Sequence, residues 1–155
     1  VPGAWYERLP HFRMGYTPSS GEELQSEFFV ARENGVDAFL AIESIADEIR
    51  PYIFTSEIRS IAQDDLWLSP NYKQDSIAFH FTWKQDDAVL ARVIPLVEDA
   101  LTPFDARPHW GKLFTIAPAK VRGMYERFDD FVSLMRRFDT NGKFRNSFLK
   151  RLIYE

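Results

Sequence analysis

Eight consecutive residues, Ser76-Ile77-Ala78-Phe79-His80-Phe81-Thr82-Trp83, alternate between bulky apolar and smaller, mostly polar side chains, and this alternation constrains the backbone more than any other feature of the chain. An extended strand sends successive side chains to opposite faces, with period two. In that geometry Ile77, Phe79, Phe81 and Trp83 form one apolar face, while Ser76, Ala78, His80 and Thr82 form a small, polar one. A helix would scatter both sets. The chain therefore needs a sheet with its aromatic face packed under helices and a different use for the polar face.

The remaining elements supply that sheet. Residues 24–30 (Leu-Gln-Ser-Glu-Phe-Phe-Val) read as a strand, and so do residues 53–61. Between them Val36, Phe39, Leu40, Ile42, Ile45, Ala46 and Ile49 recur at helical spacing, ended by Arg50-Pro51. The loop before the aromatic strand contains Trp67-Leu68-Ser69-Pro70-Asn71. A second helix follows, with Val89, Leu90, Val93, Ile94, Val97, Ala100 and Leu101 on one side. Pro95 should kink or divide it, because proline removes a backbone bond and clashes with the preceding turn. A short fourth strand fits residues 106–109.

The order β-α-β-β-α-β predicts an α+β fold of the split βαβ, ferredoxin-like kind, an antiparallel sheet with helices on one face. Beyond it, Val121, Met124, Tyr125, Phe128, Phe131, Val132 and Met135 form an amphipathic stripe. Asp139-Thr140-Asn141-Gly142 is a turn, and Phe144, Phe148, Leu149 and Leu152 suggest a last helix. The expected division is a connecting segment rich in Gly and Pro over 1–22, an α+β domain over 23–117, and C-terminal helices over 118–155.

At 155 residues, 45% of them hydrophobic, the chain can bury a core without metal or disulfide support. It has no cysteine, which excludes a disulfide framework, a thiol nucleophile and Cys-ligated metal sites and is compatible with a cytoplasmic location. No apolar run approaches the roughly 20 residues that span a bilayer, so no membrane association is expected. The opening Val1-Pro2-Gly3-Ala4-Trp5 lacks an initiator Met and suggests a fragment or a processed chain.

The net charge of −4 is unevenly placed. Residues 1–110 hold 9 Lys+Arg against 18 Asp+Glu, and residues 111–155 hold 10 against 5. A basic last third fits either a surface that meets an anionic cofactor or partner domain or an ordinary mixed surface, and its basic residues, interleaved with Phe and Leu at helical spacing, give nucleic-acid binding little support. The three histidines, at 11, 80 and 109, lack metal-ligand spacing, and no metal is expected. Glycine-rich phosphate loops are absent from the sequence.

Two places could carry chemistry. Glu57 and Arg59 are two apart in their strand and share a face, with Ile53 and Ile61 at its ends. A Glu and an Arg among apolar residues cost desolvation unless they pair with each other or meet a polar ligand. An ion pair on a solvated sheet surface satisfies this as well as a binding site does. His80 and Thr82 can likewise be an ordinary exposed face or a ligand face. The second place is Arg107-Pro108-His109-Trp110-Gly111-Lys112, where Pro and Gly bracket a tight backbone course. There Trp110 offers a wall, and the Lys112 ammonium can stabilise a developing alkoxide if a ligand lies beside it.

In order along the chain, Ser56-Glu57-Ile58-Arg59, Trp67-Leu68-Ser69-Pro70, His80-Phe81-Thr82-Trp83 and Arg107-Pro108-His109-Trp110-Gly111-Lys112 resemble the C-terminal half of the alditol (xylitol) oxidases. Those enzymes belong with the aldonolactone oxidases in the vanillyl-alcohol-oxidase superfamily. The likeness runs from Val1-Pro2-Gly3 to Asn141-Gly142-Lys143-Phe144-Arg145-Asn146. His-Trp-Gly-Lys is shared with lactone oxidases, whereas His-Phe-Thr-Trp and Trp-Leu-Ser-Pro tilt the reading toward alditols.

The resemblance implies that this domain caps a flavin ring. It implies that Glu57, Arg59, His80, Thr82 and Lys112 line the substrate pocket, with Lys112 close to the isoalloxazine. The catalytic set would be Glu57, Arg59 and Lys112. Lys112 and Asn146 are the positions expected to approach FAD, the latter because residues 141–146 would return to the flavin domain. That N-terminal domain, with its flavin-bearing histidine and pocket serine, has no counterpart in this sequence. The implied partners are a polyol, oxygen and the flavin domain, and self-association of the flavin-facing surface is possible. An aldonolactone oxidase and a non-catalytic α+β binding module are the alternatives.

Overall fold

The computed structural model describes residues 2–8, 21 and 23–154. Most of the expected connecting segment lies outside them. Within it, α1 (Trp5–Arg8) is a single helical turn.

Strands β1 (Glu23–Ala31), β2 (Ile53–Ile61), β3 (Ser76–Lys84) and β4 (Arg107–Pro108) form one sheet in the order β2-β3-β1-β4, with every pairing antiparallel. This is the expected βαββαβ arrangement. The two long central strands pair over their full lengths, from Glu23 opposite Lys84 to Ala31 opposite Ser76. On one face of the sheet Phe28, Val30, Phe79, Phe81 and Trp83 are buried against α2 (Gly35–Ser44), α3 (Ala46–Ile49) and α4 (Ile94–Leu101). Burial of this aromatic face drives the layer together. Trp83 also donates from Nε1 to Ser26 Oγ at 2.9 Å, so the one polar atom of that ring is satisfied inside the core.

Both helices of this layer differ in detail from the sequence reading. The first helix breaks at Ile45, and its core face is Ala38, Ile42 and Ile49, leaving Val36, Phe39 and Leu40 exposed. The helix starts close over the sheet, since a Cβ at Gly35 would stand 2.8 Å from Ile77 Cγ1. A small residue such as Ala38 is what that spacing accommodates. Pro95 falls where a π-helical turn over Val89–Val93 passes directly into α4, with helical backbone at Val93 and Ile94, so the widened turn before it accommodates the missing N–H. Leu90 is exposed there, while Val89, Val93, Ile94, Val97 and Leu101 are buried.

The amphipathic stripe forms two helices, α5 (Pro118–Gly123) and α6 (Phe128–Phe138), and the chain continues through α7 (Ser147–Leu149) into a π-helical turn over Lys150–Tyr154. Val121, Tyr125, Phe128, Val132, Leu152 and Ile153 build a second core, with Leu68 of the β2–β3 loop and Trp110 packed against it. Phe114 and Ile116 touch both cores and join the helical tail to the sheet. The turn before α7 forms as read, with Gly142 at φ +65°. Among the described residues no helix is long and apolar enough to cross a membrane.

Candidate functional site

The second face of the sheet carries Glu57 and Arg59 from β2, Ala78, His80 and Thr82 from β3, and Gln25, Glu27 and Phe29 from β1. Register sets them in rows across the three strands. Glu57 and Glu27 flank His80, Arg59 and Phe29 flank Ala78, and Thr55 and Gln25 flank Thr82. Period two and antiparallel pairing therefore gather four of the five expected pocket residues on one surface. One neighbour changes. Ile53 is opposite Trp83 and packs in the core, because the register slips between Ile53 and Thr55 and the extra residue, Phe54, turns Ile53 to the helix side.

Lys112, the fifth, arrives from outside the sheet. β4 runs beside β1 and leads into a tight turn in which Lys112 N donates to His109 O at 3.0 Å and Gly111 N donates to His109 Nδ1 at 3.0 Å. Leu113 N then donates to Gln25 O, returning the chain to the edge of β1. The turn points Lys112 back over β1. Trp110 is directed the other way: its Nε1 donates to Tyr125 Oη at 2.8 Å and its ring packs edge-on against Tyr125 and Phe148. It packs against the second core and, half-buried, also lines a cleft with Gln25, Gly111 and Lys112.

At the centre stands a residue the sequence reading did not single out. Glu27 is 4% exposed, and its carboxylate accepts from Lys112 Nζ at 2.6 Å and from Arg59 Nη1 at 2.9 Å. Burial pushes this carboxyl up, but the hydrogen bond and charge of Lys112 and the charge of Arg59 outweigh it and hold it well below the usual carboxylate range. Arg59 bridges two carboxylates, giving Nη2 to Glu57 Oε2 at 2.7 Å as well. Lys112 Nζ lies 2.8 Å from His80 Nδ1, and His80 Nε2 lies 3.3 Å from Thr82 Oγ1.

These contacts assign the imidazole. His80 Nδ1 is 3.6 Å from Glu27, too far to donate to it, and an ammonium can only donate. Nδ1 is therefore the acceptor, and the ring proton sits on Nε2, directed at Thr82. Exposure rises in steps from floor to rim: Glu27 and His80 are buried, the Lys112 side chain is 17% exposed, and those of Arg59 and Glu57 are 42% and 49%. The two cations are matched by two carboxylates, so the face is densely polar without a large net charge. Lys112 has three N–H bonds, of which two are accounted for by Glu27 and His80.

Asn146 is not brought into this cluster by any contact of its side chain. Its Oδ1 accepts from Leu149 N at 2.8 Å and caps α7. Glu27 could have been found by the reasoning that found Glu57 and Arg59, since it is a charge in mid-strand followed directly by Phe28, Phe29 and Val30.

A family model described as D-arabinono-1,4-lactone oxidase matches residues 21–152. The chain is 48% identical over 153 residues to an alditol oxidase from a Streptomyces species, covering 99% of this chain and 37% of that protein. It is 30% identical over 135 residues to an L-gulono-1,4-lactone dehydrogenase of Mycobacterium tuberculosis, covering 83% of this chain and 30% of that one. An L-gulonolactone oxidase of Mus musculus is 27% identical over the same share of this chain. The chain thus spans about a third of the length of the relatives it matches. With the family model matching well over half of its length, the chain belongs to the D-arabinono-1,4-lactone oxidase family.

Proposed function

We propose that this chain is the substrate-binding portion of an FAD-dependent oxidase that acts on the terminal CH–OH of alditols such as xylitol or sorbitol. The observation that carries the reading is the ordered polar face, Glu57–Arg59 at its rim and His80–Thr82 with Lys112 on its floor, in a chain nearly half identical to an alditol oxidase.

A polyol presents a row of hydroxyls, each both donor and acceptor, and the face offers matching groups in a row. The Lys112 ammonium and the Arg59 guanidinium can donate to the oxygen of the reacting carbon and favour alkoxide character there. Glu57 can accept a hydroxyl hydrogen while it holds Arg59 in place. His80 and Thr82 serve hydroxyls further along the polyol. A bound FAD would supply the acceptor for the carbinol hydride, and the two electrons, with two protons including the substrate hydroxyl's, would pass to oxygen as hydrogen peroxide.

The residues here fit one side of such a group and not the whole of it. The partly exposed Lys112 ammonium could stabilise the negative charge that a flavin ring gains on reduction. The phosphates and adenine would be held by an N-terminal flavin domain, with the intact enzyme in the cytoplasm. The 155 residues alone are then expected to be colourless and inactive.

Anaerobic mixing of the intact enzyme with xylitol, followed by flavin absorbance, tests the reading. Lys112→Met and Arg59→Ala should each slow flavin reduction by about a hundredfold or more. Unchanged reduction kinetics would remove both residues from the site. Comparing xylitol, sorbitol and an aldonolactone as reductants decides between an alditol and a lactone enzyme.

A further inference from the structure

We propose that Glu27 is the positioning residue of this face: it takes one N–H of Lys112 while His80 takes a second, and so fixes both the direction of the third N–H and the tautomer of His80. The inference rests on the substrate face proposed above and adds to it a residue that need not touch substrate.

The geometry is restrictive. A lysine side chain has four rotatable carbons and a freely turning ammonium, so an unrestrained Nζ sweeps a wide volume. Here two acceptors from two different strands hold it, Glu27 Oε2 at 2.6 Å from β1 and His80 Nδ1 at 2.8 Å from β3. Two fixed N–H directions on a tetrahedral nitrogen determine the third. Glu27 is 4% exposed and His80 is 5% exposed, so water does not compete freely for either bond. The other oxygen of Glu27 accepts from Arg59 at 2.9 Å, so the same carboxylate sets the spacing between the two cations.

The His80 tautomer follows from the same contacts. While Lys112 donates to Nδ1, the ring must carry its proton on Nε2, where Thr82 Oγ1 stands at 3.3 Å. Without the Glu27 carboxylate the ammonium loses its strongest acceptor and the Nδ1 bond loses its fixed donor. The imidazole is then free to exchange tautomers, and Thr82 no longer faces a constant donor. Glu27 would thereby act through Lys112 and His80 on both ends of a bound polyol.

The test uses the intact flavoenzyme in four forms: wild type, Glu27→Gln, Lys112→Met and the double variant. Flavin reduction by xylitol gives a limiting rate and a dissociation constant for each. Glu27→Gln should lower the limiting rate by about tenfold or more, with the xylitol dissociation constant changed by less than about threefold. In the Lys112→Met background the same substitution should cost clearly less than in wild type, because of the two cations it holds only Arg59 remains. Ring ¹⁵N shifts of labelled histidine, with His80 assigned through His80→Gln, should show Nδ1 unprotonated and Nε2 protonated in wild type and a mixture in Glu27→Gln.

A full, independent rate loss in the double variant, or a wild-type His80 protonated on Nδ1, overturns the inference. If Glu27→Gln does not accumulate, Glu27→Asp replaces it, since a carboxylate one methylene shorter cannot span the same distance to Nζ. Failure of the substrate reading looks different. Then neither polyol nor lactone reduces the flavin, or Lys112→Met reduces at the wild-type rate, while the histidine spectrum still decides on Glu27.

Discussion

Lys112 and Glu27, 85 residues apart in the chain, meet at 2.6 Å on the polar face of the sheet. One lies in the middle of the first strand and the other on the turn after the last, so their contact exists only when β4 has added to the edge of β1. The bond therefore reports completion of the sheet as well as assembly of the site.

That coupling has a pH signature. The folded carboxyl of Glu27 is held below its unfolded value of 4.5 by Lys112 and Arg59. A depressed carboxylate contributes stability that is present above pH 4.5 and is lost as pH falls through the folded value. Urea denaturation followed by circular dichroism at pH 7, 4 and 3 should show wild type weakening steadily. Glu27→Gln should be weaker than wild type at pH 7 by about 1–3 kcal/mol and should lose less on acidification. Parallel pH curves for the two proteins would contradict the assignment.

Glu98 should behave in the opposite sense. It lies in α4 and accepts from Thr115 N at 2.6 Å and from Thr115 Oγ1, tying the segment that follows Lys112 to the helical layer. Burial pushes its carboxyl up, more than the Thr115 and Ile116 hydrogen bonds lower it. The folded form then holds its proton to higher pH than the unfolded chain. That contribution is complete below pH 4.5 and is lost as pH rises through the folded value. Glu98→Gln should therefore gain on wild type between pH 4 and 7, while Glu98→Ala should cost about 1–3 kcal/mol throughout by leaving Thr115 N without its acceptor. Urea midpoints at the two pH values separate the cases.

How much of this was legible in the sequence depended on whether a signal was local. The aromatic strand was readable because Ile77, Phe79, Phe81 and Trp83 alternate without interruption, and the structure buries Phe79, Phe81 and Trp83 as that alternation requires. The Glu57–Arg59 pair was readable because both charges lie two apart in one strand. Ile53 was placed on the wrong face because the irregularity at Phe54 arises from pairing with β3, and a strand read alone has no partner to slip against. Val36, Phe39 and Leu40 suggested the buried side of the first helix by size alone. The close approach at Gly35 selects Ala38 and Ile42 instead, and that distance belongs to the packed layers. Glu27 was within reach, but its importance comes from Lys112, and nothing local joins residues so far apart.

The core carries a pair suited to a double-mutant cycle. Trp83 and Ser26 are both fully buried, and the indole N–H donates to Ser26 Oγ at 2.9 Å. Ser26→Ala strands the indole donor and Trp83→Phe strands the hydroxyl, so each single change should cost about 1–3 kcal/mol, the second with a further penalty for lost ring volume. The double variant leaves neither group unpaired and should be more stable than the sum of the two losses by about 1 kcal/mol. Strict additivity in urea unfolding would mean that water or another group replaces the bond.

The β2–β3 loop offers the last test, because one side chain ties it down from beneath. Arg107 donates from Nη1 to Pro70 O at 2.9 Å and toward Tyr72 O at 3.4 Å, and its guanidinium lies 5.8 Å from the centre of the Tyr125 ring. It thus joins the loop that carries Trp67-Leu68-Ser69-Pro70 to the second core, from a strand whose next turn presents Lys112. A second tie runs from Arg127, whose guanidinium lies 4.6 Å from the centre of the Trp67 ring. Arg107→Met keeps the length of the stem and removes the donors. It should cost about 1–2 kcal/mol in stability and raise amide exchange over residues 64–74 without raising it in β3. The loop also has an internal frame in Asp64, which accepts from Leu66 N and Ser69 Oγ, so it should open as a unit and not fray residue by residue. Exchange that rises equally in the loop and in β3 would show instead that Arg107 supports the whole sheet.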